Sequence, residues 1–437
     1  MLKRVLLGSA LLSQFAAPVV AQDRPTPPPV VRHCATPSVD QLPAAEQAVL
    51  QQIEQQTRRF IAQRAENAGT ANRTSAVIVT IPVVVHVLYN TAAQNISDAI
   101  VQSQIDVLNR DYAKLNTDFS KTPTAFQGAA ADMQIRFQLA TKTPTGALTN
   151  GIIHKYTANT YFDYGRKDPQ GVFVKQSAKG GDDAWNTSQY LNMWVCNFGG
   201  SAGGLLGYAT FPSDAGTYKD GVVMGYKYFG VNPALGGVYG YGRTATHEVG
   251  HWVNLRHIWG DASCGNDLVS DTPTQSTSNY GCPTFPKRTC GNTTNGDMFM
   301  NYMDYTDDQC MVMFSAGQRD RCNALFATGG ARASLLTSTG LRPTAPGTTT
   351  TAAQSRVSVF PNPTEGVATL QLNLPEAAAT ATLRILNMQG LPVYEQTLRN
   401  LAAGLNEAAL PHLARGIYSV QVTGAGATTQ VRFSVTQ

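Results

Sequence analysis

Charge is scarce in this sequence. Asp, Glu, Lys and Arg together make 14 % of its 437 residues, and the formal net charge is +4. Nucleic-acid binding needs a concentrated positive field, so that class of function is set aside. Long apolar runs are missing too. After Val20 no stretch is long and apolar enough to span a bilayer. No array of repeats is visible, which argues against solenoids and propellers. What the chain has instead is Gly, Ala, Ser and Thr in quantity, a solvated and nearly neutral surface that suits an exported protein. The length is too great for one ordinary domain and predicts two or three.

The N-terminal residues agree with export. Lys3 and Arg4 precede an apolar stretch from Val5 to Val20, and Val19 and Ala21 stand at the small-residue positions of a cleavage site before Gln22. Residues 1–21 therefore read as a signal peptide rather than a membrane anchor, because the run is short and broken by Ser9, Ser13 and Gln14. Seven cysteines follow: Cys34, Cys196, Cys264, Cys282, Cys290, Cys310 and Cys322. In an exported chain disulfides are the default, and an odd total leaves at least one thiol unpaired.

Composition divides the remainder. Residues 22–72 read as a pro-segment. It has a Pro-rich start from Arg24 to Val31, an amphipathic helical pattern over 42–66, and a polar stretch at 67–75 that is a natural place for nicking. Val77 to Leu88 is dense in β-branched residues and predicts a buried strand. Ile100, Val101, Ile105, Leu108, Tyr112 and Leu115 predict a helix over 98–116. Further strands are expected at 132–140, 191–198, 205–211 and 221–229, and a helix from near Arg243. This order predicts an α+β enzyme domain over 73–330. Residues 331–355, with Pro343, Pro346 and the run Thr348 to Thr351, have linker composition. Residues 356–437 alternate in short strands, Ala368–Leu374, Ala381–Asn387 and Tyr418–Val422 among them, and predict a small all-β sandwich.

The chemistry sits at His247-Glu248-Val249-Gly250-His251. On a helix, positions i and i+4 share a face, so both imidazoles can reach one metal ion. His257 follows six residues after His251, too far along for the same helix to deliver it. The chain must turn sharply at Asn254, a residue that tolerates the left-handed backbone such a turn needs. Three neutral imidazoles leave a fourth position free, which is the pattern of a catalytic zinc. Zinc brings the pKa of bound water towards about 7. Glu248, next to the first ligand but not itself one, is placed to take the water proton and pass it to the leaving amine. A second stretch, Met300 to Tyr305, resembles the methionine-bearing turn that metzincins place beneath the metal, which implies Met303 as an apolar floor there. It also supplies Tyr305, whose hydroxyl could hydrogen-bond the tetrahedral oxyanion.

T-H-E-V-G-H-W-V-N-L-R-H-I-W-G-D, N-Y-M-D-Y-T-D-D-Q-C and the four clustered cysteines together resemble the pappalysin family of metzincin metallopeptidases, in its bacterial cytophagalysin-type branch. In metzincins the turn position held here by Asn254 is usually Gly, a mild departure. The resemblance implies a metzincin fold with a twisted sheet and an active-site helix above an irregular lower subdomain. It implies an edge strand, here 205–211 and beginning with Leu205, Leu206 and Gly207, that pairs with extended protein or peptide substrates. It suggests calcium in the oxygen-rich loop bearing Asp267, Asp271, Thr272 and Gln275, although a solvated polar loop would look the same. It suggests disulfides Cys264–Cys290 and Cys282–Cys310, leaving Cys196 and Cys322 to join the sheet to the last helix. Sequence alone fixes no connectivity, since six cysteines permit fifteen pairings. It allows Cys34 to bind the zinc in a latent form, a thiolate being a strong zinc ligand. It also implies that an acidic residue at Asp308, with Asp307 as rival, selects a basic residue just after the cut bond. Arg should outrank Lys there because it can pair bidentately. The same preference points to Asn72–Arg73 as a self-processing site.

Val359-Phe360-Pro361-Asn362-Pro363-Thr364 and Gly416-Ile417-Tyr418 resemble the C-terminal sorting domain of proteins exported by the type IX secretion system. That resemblance implies export across periplasm and outer membrane, with the secretion machinery as partner. The competing reading is a surface adhesion or binding protein that has kept a metzincin shell. Intact Glu248 and three intact histidines favour the enzyme.

Overall fold

The computed structural model describes residues 31–67, residues 78–341 except 166 and 293, and most of 356–436, with gaps at 361–363, 365–367, 375–376, 388–389, 403 and 425–426. The signal peptide, the Asn72–Arg73 bond and the threonine run lie outside the described residues. The chain divides into two units near Pro343.

The first unit is built on a six-stranded sheet: β1 (Val79–Tyr89), β2 (Ile135–Leu139), β3 (Ile152–Tyr156), β4 (Leu191–Cys196), β5 (Gly207–Ala209) and β6 (Val222–Gly225). The order is β2-β1-β4-β6-β5, with β3 following β2 along the second half of β1. All pairings are parallel except β5 with β6. β1 has neighbours on both sides and cover on both faces, which is why it reads as an unbroken apolar run rather than an alternating one. Its Pro82 is tolerated because the register with β4 begins only at Val83. The helix α2 (Asp98–Tyr112) is capped by Ser97 and buries Val101, Ile105 and Leu108. It ends earlier than its apolar spacing predicts: Lys114 is left-handed, and Leu115 is 71 % exposed. β5 also covers less than the expected 205–211.

Ahead of the sheet, α1 (Ala44–Asn67) buries Leu50 and Ile53, and its Glu54 pairs with buried Arg321 at 2.6 Å. After the active-site helix α3 (Arg243–Trp252) the chain is mostly irregular until α4 (Ala316–Asn323). Disulfides Cys264–Cys290 and Cys282–Cys310, each with Cα atoms 5.6 Å apart, cross-link this region as the family resemblance suggests. The expected Cys196–Cys322 link is absent, because both are buried free thiols in different apolar clusters. Cys196 packs with Trp194 and Tyr208, and Cys322 with Tyr112 and Leu325. The linker also begins later than expected. Arg332 is buried against Asp220 at 2.8 Å, Leu335 is buried, and Gly340 O accepts from Thr141 N, so residues 331–341 belong to the first unit.

The second unit has two antiparallel sheets, β10-β9-β12-β13 and β11-β8-β7. They comprise β7 (Arg356–Phe360), β8 (Thr369–Leu374), β9 (Ala378–Leu386), β10 (Pro392–Leu401), β11 (Gly404–Ala409), β12 (Gly416–Gly424) and β13 (Ala427–Val435). Alternate residues Leu370 and Leu372, Leu383 and Ile385, and Val420 and Val422 from the two sheets share one core, the sandwich that the alternation predicts.

Candidate metal centre

α3 is buried along its whole length and carries His247, Glu248 and His251. A Cβ at Gly250 would run into the Met303 side chain, so the methionine lies directly under the helix. The helix ends as the residue spacing requires. Asn254 is left-handed at φ 75°, and Leu255 N donates to Gly250 O at 2.8 Å. The reversed chain returns His257 to the other two imidazoles.

The three Nε2 atoms converge. His251 Nε2 lies 3.1 Å from both His247 Nε2 and His257 Nε2. Two nitrogens on one tetrahedral zinc at about 2.0–2.1 Å would be roughly 3.3 Å apart. The Nδ1 atoms fix the tautomers. His247 Nδ1 donates to Tyr302 O at 2.7 Å and His251 Nδ1 to Leu255 O at 2.9 Å, while His257 Nδ1 faces the Asp261 carboxylate. With their protons on Nδ1, the rings present lone pairs to one another, an arrangement that fits a shared cation. Burial, reinforced by the neighbouring imidazoles, holds His247 well below the usual histidine range and His251 at about 3.

Cys34 completes the cluster. Its Sγ and the three imidazoles offer ligand atoms within 4.8 Å of one another, the one such group among the described residues. Cys34 Sγ also donates to Glu248 Oε2 at 3.2 Å, and Thr36 Oγ1 donates to the same oxygen at 3.1 Å. Burial pushes Glu248 up to about 7 against those hydrogen bonds, and its Oε1 is buried without a hydrogen-bond partner. Tyr305 Oη lies 3.1 Å from His257 Nε2. A base, a hydroxyl and three imidazole lone pairs therefore face one point, the equipment for adding water to a carbonyl.

Residues 33–36 lie along β5. Leu206 N donates to His33 O at 3.2 Å, Ala35 N donates to Gly207 O at 3.1 Å, and Cys34 bridges Gly207 in parallel. Ahead of them, Arg32 is buried in a pocket that composition did not reveal. Its guanidinium donates to Asp308 Oδ1 at 2.5 Å, Thr244 Oγ1 at 3.2 Å and Thr306 O at 3.2 Å, and it lies 5.0 Å from the Tyr239 ring centroid. Asp308 is fully buried, and its Oδ2 accepts from Tyr241 N and Arg243 N at the start of α3. It is thus neither a solvated loop acid nor wholly unpaired before a cation arrives, because one oxygen caps the helix and the other faces the pocket. Asp307 does not pair with Arg32.

The four oxygen-bearing loop residues do not converge. Thr272 Oγ1 contacts both carboxylate oxygens of Asp267 and Val269 O, all at 2.9 Å. Asp271 accepts from Ser315 Oγ and Gly317 N instead, and Gln275 donates to Asp304. Arg32, Thr36 and Asp261 are site residues that sequence reasoning passed over. The signal for the first was its place two residues before the thiol.

A family model described as pregnancy-associated plasma protein-A matches residues 175–327, and one described as a secretion system C-terminal sorting domain matches residues 358–436. An extracellular metalloprotease of Colletotrichum graminicola is 31 % identical over 309 residues, covering 68 % of this chain and 90 % of that protein. One from Pyricularia oryzae is 31 % identical, covering 61 % and 81 %. Among solved structures, mirolysin in complex with compound 9 is 50 % identical with TM-score 0.56, over 60 % of this chain and 96 % of that one. A mutant of promirolysin from Tannerella forsythia is 43 % identical with TM-score 0.62, over 70 % and 97 %.

Proposed function

The chain belongs to the pappalysin family of metallopeptidases, and from that premise we propose that it is a zinc endopeptidase, made latent, which cuts proteins before Arg. Its membership makes it a metalloendopeptidase, and the sorting domain marks it for export through the type IX pathway. No helix among the described residues is long and apolar enough to cross a membrane. His247, His251 and His257 would hold the zinc, which when bound polarises the scissile carbonyl and acidifies water. Glu248, pushed up to about 7, accepts the proton of the attacking water and returns it to the leaving nitrogen. Tyr305 donates its hydroxyl to the oxyanion. Met303 is the apolar floor.

The observation that carries both latency and specificity is the double occupation by one short segment. Cys34 stands among the three imidazoles while Arg32, two residues away, fills the Asp308 pocket. An arginine at the primed-side pocket is what a preference for Arg after the cut bond would require, and a sulfur at the metal would deny water its place. The wider coverage by promirolysin than by mirolysin, 70 % against 60 % of this chain, supports the pro-segment read at 22–72. Arg73, in the polar stretch after α1, remains the candidate processing site. For calcium we favour Asp267, the Val269 carbonyl and Thr272: the Asp267 carboxyl is pushed up to about 7 by burial, as expected where a cation would relieve it. The test of the whole reading is the secreted precursor and its Cys34→Ala variant on Arg-containing peptides. The precursor should be inert until processed and the variant active sooner. A variant that matures at the wild-type rate, with its full-length form still inert, would remove the thiol from the account.

A further inference from the structure

Beside the end of β5 there is a cavity of about 240 Å³ at the seam between enzyme and pro-segment. A single water needs roughly 10–15 Å³ on this measure, and close-packed interiors leave few larger voids. The space therefore admits a side chain. Its enzyme wall is apolar and aromatic, with Tyr164, Val172, Tyr208 and Phe211. The Tyr208 ring is fixed, because its hydroxyl donates to Gly171 O at 2.5 Å, and Tyr164 packs on it at 4.7 Å between centroids. The pro-segment contributes Pro37 and Leu42.

The path of the chain ties this cavity to the cleft. Arg32 lies at the Asp308 pocket, Cys34 opposite Gly207, and Thr36 Oγ1 accepts from Ala209 N at 2.9 Å. In an extended chain alternate side chains face opposite ways. Cys34 and Thr36 face Glu248, Ala35 packs against the cluster that includes Tyr208, and Pro37 borders the cavity. The cavity is thus on the far side of the metal from Asp308. At its end stand Asp214 and Lys219, one charge of each sign, with Glu46 of α1 3.5 Å from Lys219. When α1 leaves, no net charge of the enzyme's own dominates there, and the apolar wall decides what fits.

We propose that this cavity is a non-primed subsite that takes an apolar side chain, Leu, Pro or aromatic, about two or three residues before the cut bond. The inference rests on the reading of Asp308 as the primed-side pocket. The activated enzyme, freed of its pro-segment, is assayed on peptides with Arg fixed after the scissile bond and each preceding position varied. Leu, Phe or Pro should exceed Asp and Lys at one of those positions by about 10-fold or more in kcat/KM. Val172→Lys should flatten or reverse that preference. Equal turnover of Leu- and Asp-bearing peptides by wild type, or an unchanged preference in Val172→Lys, would overturn the assignment. Should Val172→Lys fail to fold, the wild-type profile decides alone. A second library with the residue after the bond varied separates the two readings: loss of the Arg requirement would undo Asp308 and not this subsite.

Discussion

Residues 78–252 and 253–341 build one cleft by opposite means. The first stretch relies on the ladder of a six-stranded sheet and two amphipathic helices. The second has little regular structure and relies on two disulfides and on buried polar knots. Asp304, for example, accepts from Gln275 Nε2, Asn279 N and Tyr305 N between 2.7 and 2.8 Å. The regular half sets two imidazoles and a base by helix geometry alone. The irregular half supplies Tyr305 and Asp308, the groups we propose to address the substrate, and must fix them by long-range ties. Rigid scaffold and adaptable wall are divided along the chain.

The largest expected effect tests the regular half. Glu248→Ala should keep the metal and the fold while peptide hydrolysis falls by roughly 10²–10⁴-fold. Metal analysis beside a kinetic assay checks this, and near wild-type turnover would contradict the assignment of the base. Next comes the tie between halves. Arg332 bridges Asp220 with two bonds, stacks on Trp252 at 3.6 Å and donates to Trp252 O, so it holds the end of α3. Removing one partner of a buried pair costs about 3–5 kcal/mol. Arg332→Ala, or a chain ended at 330, should therefore melt markedly earlier. Unchanged thermal unfolding would return residues 331–341 to the linker.

Removing Cys282 and Cys310 together should cost about 2–4 kcal/mol, and it should do so unevenly. Proteolysis should open residues 264–310 while hydrogen exchange in β1 and β4 stays slow. Equal loosening of both would break the contrast drawn above. The smallest effect is selective. Asp308→Asn keeps an acceptor for the N–H groups that open α3 but loses the charge, so the preference for Arg over an apolar residue after the bond should fall by about 10-fold or more while cleavage persists. An undiminished preference would exclude Asp308.

This division also explains what could be read from the residues. The imidazole pair, Glu248, the turn at Asn254, β1 and the alternating strands of the second unit are local consequences of period and conformational tolerance, so the sequence carries them openly. Cys196 and Cys322 were misjudged because counting thiols says nothing of which apolar cluster each joins. β3 was not foreseen, since Ile152–Tyr156 is short and only partly covered. Arg332 looked like linker because its partner is 112 residues away. Arg32 and Asp308, 276 residues apart, form a pair that no local pattern announces.

Zinc X-ray absorption on the full-length precursor and on the activated enzyme tests the central claim most directly. The precursor should show three nitrogen neighbours at about 2.0–2.1 Å and one sulfur at about 2.3 Å, from His247, His251, His257 and Cys34. After activation the sulfur should be gone and a light atom should stand in its place. A precursor whose zinc sees only nitrogen and oxygen, or an active enzyme that keeps its sulfur, would contradict the account.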